Sequence, residues 1–420
     1  MLVIGYYLGA DFPQLKKPAG TFSLDLFTLL TESFSKTNAG VGLMIMSIGG
    51  FVAYVNSIGA SDTLVNMMMK PLGMLKSHPN IAAAAVIPIG QFLFIAIPSA
   101  AGLGLLLMAS VFPILIKLGV SRLTAVSVIT GTTSIGLGPA SAITASASEI
   151  IGIPAVIFFV GYQLPLFIPL SILLAISFYF VNGYYDKKQG LTTKKEELKE
   201  RNTIPIKTPR IYAIIPILPI IILIVFSDLL HIWNTPLKVN TTTAMFISLI
   251  IALVFEIIRF KNIKKVMVSL KEFWNGMGNI FKTVVTLIIA AEIFSKGLLS
   301  LGFIDGLVTL SQSIGLNAIG IGIVMSVIIF AAAMLMGSGN AAFFSFAPIA
   351  PKIAAKFGIA STKLILPMNF AASMGRTISP VAGVLIACAE IAEVNTFEIV
   401  KRNLIPLVIT LVVMLTYHFI

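Results

Sequence analysis

A single arginine lies inside one of the most apolar stretches of the chain. Residues 368–374 and 381–389 flank the segment "GRTISP", and neither flank contains a charged residue. An arginine at the centre of a bilayer costs roughly 2.5–3.5 kcal/mol on insertion scales, so Arg376 needs a partner or a function. It could pair with a glutamate or cap backbone carbonyls, or it could bind an anion.

The residues around Arg376 favour the anion. Proline is disfavoured inside a helix and favoured at its first position, and serine is a good N-cap. We therefore predict that one half-helix ends near Arg376 and another starts at Pro380, capped by Ser379. Free N–H groups at such an N-terminus bind carboxylates. A similar break is predicted around Pro139, in a segment rich in hydroxyl groups: Thr130, Thr132, Thr133, Ser134 and Ser141.

Two further segments combine apolar arms with a tip of small residues. They are "IAIPSAAGLG" at 95–104 and "AMLMGSGNAAF" at 333–343. Because so few residues connect the arms, we expect re-entrant hairpins, whose irregular backbone survives only beside protein or a water-filled cavity. The "GSGN" tip offers backbone N–H groups, the Ser338 hydroxyl and the Asn340 amide.

Composition gives the environment of these segments. The chain of 420 residues is 57% hydrophobic and only 11% charged, whereas soluble proteins carry about 25% charged residues. We predict an all-α polytopic membrane protein, because the apolar windows are continuous rather than alternating. The predicted membrane segments are 42–58, 80–97, 103–118, 123–148, 152–181, 211–230, 240–258, 278–299, 316–336, 341–357, 361–392 and 403–420.

Charge predicts the orientation. The net charge of +12 resides mainly in short loops, which is typical of topology signals and not of nucleic-acid binding. Residues 182–210 contain eight Lys or Arg and four acids, so we predict a solvated cytoplasmic linker there, and 259–271 on the same side. By this count Lys352, Lys356 and Lys363 fall outside, against the rule.

The two halves of the chain resemble each other. "IGASDTLV" (58–65) aligns with "LGFIDGLV" (301–308), "SIGLGPASA" (134–142) with "GRTISPVAG" (375–383), and "ASEI" (147–150) with "CAEI" (388–391). The basic residues near the two copies predict opposite orientations, as in the inverted repeats of secondary transporters. Arg376 breaks the repeat, since Ile135 is its counterpart.

The domain prediction follows from this repeat. We expect a first membrane repeat at 1–181, with a hairpin at 80–118 and a broken helix at 123–148. A second repeat follows the linker at 211–420, with a hairpin at 316–357 and a broken helix at 361–392. Glu292 and Lys296, four residues apart, are predicted to form an ion pair.

Several site classes lack their signatures. There is no phosphate-binding GxxxxGK[ST] motif, the three histidines are far apart, and Cys388 is the sole cysteine, so we expect no catalytic residue, metal site or cofactor. An integral-membrane enzyme would need acids or histidines clustered at one depth. A passive channel is disfavoured, because hairpin tips and broken helices build an occluded site.

Three stretches resemble the DcuC family of anaerobic four-carbon dicarboxylate carriers: residues 42–72, 337–352 and 374–402. The resemblance extends from about residue 40 to the C-terminus, and "GSGN" and "GRTISPVAGV" are its specific parts. Members usually begin with a further hydrophobic segment, so this N-terminus looks short. The opening run "MLVIGYYLGADFP" is too short to span a membrane.

The resemblance implies an inverted-repeat carrier in the bacterial inner membrane that transports succinate, fumarate or malate by alternating access, in efflux or exchange. It also implies a homodimer, and H⁺ or Na⁺ is a candidate coupling ion. A carrier of another small organic anion or amino acid with the same fold is the alternative. By motif match the substrate site comprises Ser338, Gly339, Asn340, Arg376, Thr377 and Ser379, with Ser99, Thr132, Thr133, Ser134 and Ser141 opposite.

Overall fold

The computed structural model describes residues 2–7, 13, 15–75, 78–191, 208–230, 239–313 and 315–419. Within these ranges the chain forms helices and connecting turns and no strand. The prediction of an all-α fold is therefore confirmed. Most of the predicted linker, residues 192–207, lies outside the described residues.

In the first half, α2 (Phe22–Thr37) and α3 (Leu43–Ser57) follow each other directly and are joined by a π-helical turn. That turn, Asn38–Gly42, bends at Gly40, whose backbone is not helical. Residues 22–37, which the sequence analysis left unassigned, are thus helical. The helices of this half are α1 (Leu2–Tyr7), α2 (Phe22–Thr37), α3 (Leu43–Ser57), α4 (Ala60–Met69), α5 (Pro79–Ala96), α6 (Ala100–Ser110), α7 (Phe112–Lys117), α8 (Arg122–Gly131), α9 (Ala142–Ile151), α10 (Ala155–Phe158) and α11 (Leu164–Lys188).

The second half also contains a long rod with a π-helical turn, Phe281–Val285, which lies against the first such turn. Its helices are α12 (Leu218–Val225), α13 (Thr241–Phe260), α14 (Ile263–Ser269), α15 (Lys271–Ile280), α16 (Thr286–Ser300), α17 (Phe303–Ser313), α18 (Ala318–Met336), α19 (Gly339–Phe346), α20 (Ala350–Lys356), α21 (Ser361–Thr377), α22 (Gly383–Ala392) and α23 (Thr396–Phe419). Short π-helical and 3₁₀ turns also occur at Phe159–Gln163, Lys70–Met74, Arg210–Ile217 and Ala347–Ile349.

Many of these helices are long and apolar enough for a membrane. In the described part of the chain eight candidates reach the length and composition of a span: Phe22–Ser57, Pro79–Ala96, Ala100–Lys117, Ala155–Lys188, Thr241–Phe260, Ile263–Ser300, Ala318–Met336 and Thr396–Phe419. The protein is a multi-pass membrane protein. Whether the hairpin arms α5–α6 and α18–α19 turn back within the bilayer stays a prediction.

Glycines allow two pairs of helices, α3 with α15 and α18 with α21, to cross closely. A Cβ atom on Gly276 of α15 would lie 2.7 Å from the Gly49 carbonyl oxygen of α3. On α21, a Cβ on Gly375 would lie 2.2 Å from the Phe330 carbonyl oxygen of α18. Such contacts between small residues are typical of helix packing in membranes.

A buried arginine ties α23 to the first half. Arg402, fully buried, donates hydrogen bonds to Asp186 (2.7 Å), Thr124 (2.8 Å) and Gln189 (2.7 Å). Its neighbour Asn403 donates to the Thr130 hydroxyl and to the Thr377 carbonyl, at 3.0 and 3.2 Å. These bonds hold α8, α11 and α23 against the end of α21.

The predicted ion pair of α16 is confirmed. Lys296 Nζ lies 2.9 Å from the Glu292 carboxylate. Glu292 also accepts a hydrogen bond from Thr37, and Lys296 donates one to Ser33. The pair therefore also anchors α2 to α16.

Candidate functional site

The tip of the second hairpin lies against α21 and against the turn that follows it. Gly337 has φ +67°, and a Cβ there would lie 2.9 Å from the Val381 carbonyl oxygen. A Cβ on Gly339 would lie 2.7 Å from the Ala372 carbonyl oxygen of α21. Ser338 is the N-cap of α19, its Oγ accepting from the Ala341 N–H (3.2 Å), and Asn340 is half-buried in the first turn. The N-terminus of α19, with its partial positive charge, therefore meets the middle of α21.

The tip of the first hairpin resembles the second in its capping. Ser99 Oγ accepts a hydrogen bond from the Gly102 N–H at 3.1 Å and caps α6. The last turn of α5 lies beside the first break, because a Cβ on Gly138 would lie 2.8 Å from the Ile95 side chain. Gly138 has φ +95°, a conformation that favours glycine.

The hydroxyl groups of the first break are fully buried but differ in their partners. Thr132 and Thr133 donate to the carbonyls of Ile129 and Thr130, at 2.6 and 3.1 Å. Ser134 Oγ is buried without a hydrogen-bond partner among the described residues. Ser134 therefore has a buried hydroxyl that no described residue satisfies, and Ser141 makes no side-chain cap bond to α9.

Both broken helices restart later than the sequence suggested. The predicted N-cap at Ser379 is wrong: the N-cap of α22 is Ala382, and α9 begins after Ser141. In each copy the proline is the second residue of a β-turn, closed by the Ala382 N–H to Ser379 (3.2 Å) and the Ser141 N–H to Gly138 (3.0 Å). Proline is favoured at that turn position as well as at the first helical position.

The remaining predicted residues of the second break are bonded locally. Thr377, fully buried, donates its hydroxyl to the Ser373 carbonyl at 2.9 Å. Ser379 Oγ accepts from the Val381 N–H at 3.3 Å. Among the described residues, neither hydroxyl has a hydrogen-bond partner on another helix.

Arg376 lies in the last turn of α21, before the break and not at the start of a half-helix. Its Nη2 donates to the Thr133 carbonyl at 2.5 Å, and its guanidinium carbon lies 6.0 Å from the centre of the Phe94 ring. Its Nε is buried and lacks a hydrogen-bond partner in the described part of the chain. Arg376 therefore caps the end of α8 and retains one free buried donor.

The first break and α21 run side by side in opposite directions. The Thr133 carbonyl accepts a hydrogen bond from Arg376. Further along, Gly136 lies so close to Ser373 that a Cβ on this glycine would clash with the Ser373 hydroxyl. Gly138 is linked to Asn369 by the Gln163 side chain, which is hydrogen-bonded to both. We call this contact between residues 133–138 and 369–376 the seam.

Gln163 and Asn369 are site candidates that the sequence analysis missed. Both are fully buried. Gln163 Oε1 accepts from the Gly138 N–H at 3.1 Å, and its Nε2 donates to Thr144 (3.0 Å) and Asn369 (3.4 Å). A signal is present in the sequence, since each is an amide inside an otherwise apolar segment, but a single amide in such a segment is a weaker indication of a site than a charge.

The seam holds Arg376 and Ser134, and Gly339 of the second tip contacts it at Ala372. The hydroxyls of Ser338, Ser99 and Ser379 each accept a local backbone hydrogen bond. Two positive features, the α19 N-terminus at Ala372–Ser373 and the Arg376 guanidinium, are about one helical turn apart along α21. No three His, Cys, Asp or Glu side chains within the described residues are grouped to hold a metal ion. The arrangement suits a small anion.

The comparison with protein families decides the family. The model of the DcuC family, described as "C4-dicarboxylate anaerobic carrier", matches residues 5–420. This chain belongs to the DcuC family. It is 36% identical over 416 residues to a probable anaerobic C4-dicarboxylate transporter DcuC of Vibrio cholerae, covering 98% of this chain and 89% of the relative. It is 33% identical over 416 residues to the anaerobic C4-dicarboxylate transporter DcuC of Escherichia coli K12, covering 99% and 88%.

Solved structures support the fold of this DcuC family member. The YdaH transporter of Alcanivorax borkumensis superposes with a TM-score of 0.65 at 15% identity, covering 99% of this chain and 95% of that protein. MtrF of Neisseria gonorrhoeae, from a class of antimetabolite efflux pumps, gives 0.64 at 14% identity, covering 99% and 92%. The family and its relatives are transporters and not enzymes.

Proposed function

We propose that this protein carries C4-dicarboxylates, such as succinate, fumarate and malate, across the bacterial inner membrane by alternating access. Its proposed physiological mode of transport is succinate efflux or exchange. The family assignment supports the substrate class. Within the molecule, the supporting observation is Arg376, a half-buried cation whose buried Nε–H has no partner among the described residues, one helical turn from a helix N-terminus.

The electrostatics of the seam and of the adjoining α19 N-terminus fit a dianion. A guanidinium and a helix N-terminus both stabilise negative charge, and their effect is stronger where protein excludes water. Charge-assisted hydrogen bonds to a carboxylate are about twice as strong as neutral ones. A monocarboxylate or an amino acid would use only part of this positive potential, so the dicarboxylate is the better match.

For movement, we propose that the hairpins and broken helices shift as a body against a scaffold. The scaffold is formed partly by the α3 and α16 regions, predicted at 42–58 and 278–299. Close packing of α3 on α15 through Gly49 and Gly276 makes a stiff support. The proposed assembly is a homodimer, and H⁺ or Na⁺ is the proposed coupling ion if transport is not pure exchange.

Counterflow in proteoliposomes tests the function. The purified full chain is reconstituted into vesicles loaded with unlabelled succinate, and uptake of labelled fumarate is measured with and without an imposed H⁺ or Na⁺ gradient. Internal succinate should accelerate fumarate uptake, and external butyrate should compete poorly. If fumarate uptake responds neither to internal succinate nor to either gradient, the carrier proposal fails.

A further inference from the structure

The hydrogen-bond donors of the seam fix the orientation of a buried amide. The Gly138 backbone N–H can only donate, so Gln163 must present its Oε1 to it (3.1 Å), and its Nε2 then faces Asn369. Since Nε2 can only donate, Asn369 must present Oδ1 in return. The NH₂ group of Asn369 is thereby turned away from Gln163.

That NH₂ group has no hydrogen-bond partner among the described residues, although Asn369 is fully buried. Leaving such a group unpaired costs about 1–3 kcal/mol. The same seam contains two more buried polar atoms without a hydrogen-bond partner among the described residues, Ser134 Oγ and Arg376 Nε. All three groups can donate a hydrogen bond, and the Asn369 NH₂ and the Arg376 Nε–H can only donate.

A ligand that only accepts hydrogen bonds would satisfy all three groups, and a carboxylate is such a ligand. We propose that Asn369 binds the second carboxylate of the substrate, while Gln163 is the positioning residue that aims its NH₂ group. Arg376 binds the first carboxylate. This inference rests on the proposed dicarboxylate function and adds the determinant that distinguishes dicarboxylates from monocarboxylates.

The spacing along α21 agrees with a four-carbon substrate. Asn369, Ser373 and Arg376 are at i, i+4 and i+7, so they share one face of the helix. Seven residues extend about 10 Å along a helix axis. An extended four-carbon dicarboxylate has three carbon–carbon bonds of about 1.5 Å and accepts a hydrogen bond of about 2.9 Å at each end. The two protein groups that donate these hydrogen bonds should therefore lie roughly 10 Å apart.

The test compares succinate with succinamate, in which one carboxylate is replaced by an amide. Their affinities are measured by calorimetry on the full-length protein in lipid nanodiscs. We expect the wild type to prefer succinate by about tenfold or more, the value of a charge-assisted hydrogen bond. Asn369→Ala should weaken succinate binding by about tenfold and leave succinamate nearly unchanged, so that the preference shrinks.

The role of Gln163 is tested by a double-mutant cycle. Gln163→Met removes the group that orients Asn369, so the preference should shrink although Asn369 is present. Adding Asn369→Ala to Gln163→Met should change the preference no further, because Gln163 acts through Asn369. An additive loss would overturn the positioning role.

The control is Asn182→Ala. Asn182 is also buried, but it donates to Ser127 (3.3 Å) and accepts from Arg402 (3.3 Å), away from the seam. This variant should lower the melting temperature and leave the succinate preference unchanged. If Asn369→Ala does not fold, the near-isosteric Asn369→Leu replaces it.

The outcomes separate this inference from the proposed function. Wild-type preference retained in Asn369→Ala or Asn369→Leu overturns the inference, and so does a wild type that binds both ligands equally. In both cases dicarboxylate binding itself still stands. A wild type that binds neither ligand and shows no counterflow refutes the proposed function.

Discussion

Arg376 takes part both in the fold and in the proposed site. Its Nη2 caps the Thr133 carbonyl at the end of α8, and its own position in the last turn complements the α21 dipole. The sequence predicted an arginine with either a partner or a function. The structure gives it the partner and leaves its Nε free for the function.

Removing this arginine should therefore affect binding and stability together. Arg376→Ala is expected to weaken succinate binding by at least about tenfold, because a charge-assisted bond is lost. It should also lower the melting temperature, since the Thr133 carbonyl loses its donor. Calorimetry and thermal unfolding in detergent measure the two effects.

Arg122→Ala provides the control for Arg376. Arg122 lies at the surface end of α8 and pairs with Glu393 at 3.1 Å. Exposed pairs of this kind contribute about 1 kcal/mol or less, so succinate affinity should not change. Unaltered affinity in Arg376→Ala would reduce Arg376 to a structural cap.

At the residue scale, amides were harder to predict than charges. Arg376 stood out in the sequence because a charge in an apolar segment is costly. Asn369 and Gln163 cost less to bury when bonded, and their importance depends on a partner more than 200 residues away along the chain. Sequence spacing does not reveal such a pair.

At the scale of elements, proline and glycine predicted where the hairpin tips and the helix breaks lie. The residues at which the following helices start were less predictable. A proline indicates that a helix is interrupted, but it suits the β-turn 379–382 as well as a first helical turn. The helix α22 consequently starts three residues later than Pro380. The turn that precedes it was visible only once the Ser379–Ala382 hydrogen bond was known.

The crossing of α3 and α15 provides a test of helix packing. A Cβ on Gly276 would lie 2.5 Å from the Ala53 Cβ and 2.7 Å from the Gly49 carbonyl oxygen. Gly276→Ala must push the two helices apart, so we expect a loss of about 2 kcal/mol in the free energy of unfolding. The melting temperature in detergent reports this loss.

Gly278→Ala is the matched control on the same helix. Gly278 is exposed, and a Cβ there would meet nothing within 4 Å. This change should be neutral or stabilising by up to about 1 kcal/mol, since glycine disfavours helices. Equal melting temperatures for the two variants would contradict the close crossing.

For the whole molecule, hydropathy predicted the fold class because a bilayer demands long apolar helices. The orientation of the protein is still a prediction from its charges. It places Lys188 in the cytoplasm and Lys352 outside, although Lys352 goes against the positive-inside rule. Both side chains are exposed.

Cysteine labelling tests that orientation. Cys388 is fully buried, so the natural protein should react little with a membrane-impermeant maleimide. Lys352→Cys should be labelled in spheroplasts, whereas Lys188→Cys should require permeabilised membranes. The reverse pattern would invert the predicted topology, and labelling of the unmodified chain would show that Cys388 is reachable.

The unlike ends of the seam have a consequence for stereochemistry. Arg376, Asn369 and Ser134 come from different positions and differ in charge and shape, so a substrate bound to them meets three non-equivalent points. Succinate, which is symmetric, can enter either way round. Malate carries a hydroxyl on one carbon, and its two mirror-image forms would direct that hydroxyl to different walls. A carrier assembled from two related halves therefore gains the means to discriminate enantiomers, because one half contributes an arginine where the other has an isoleucine.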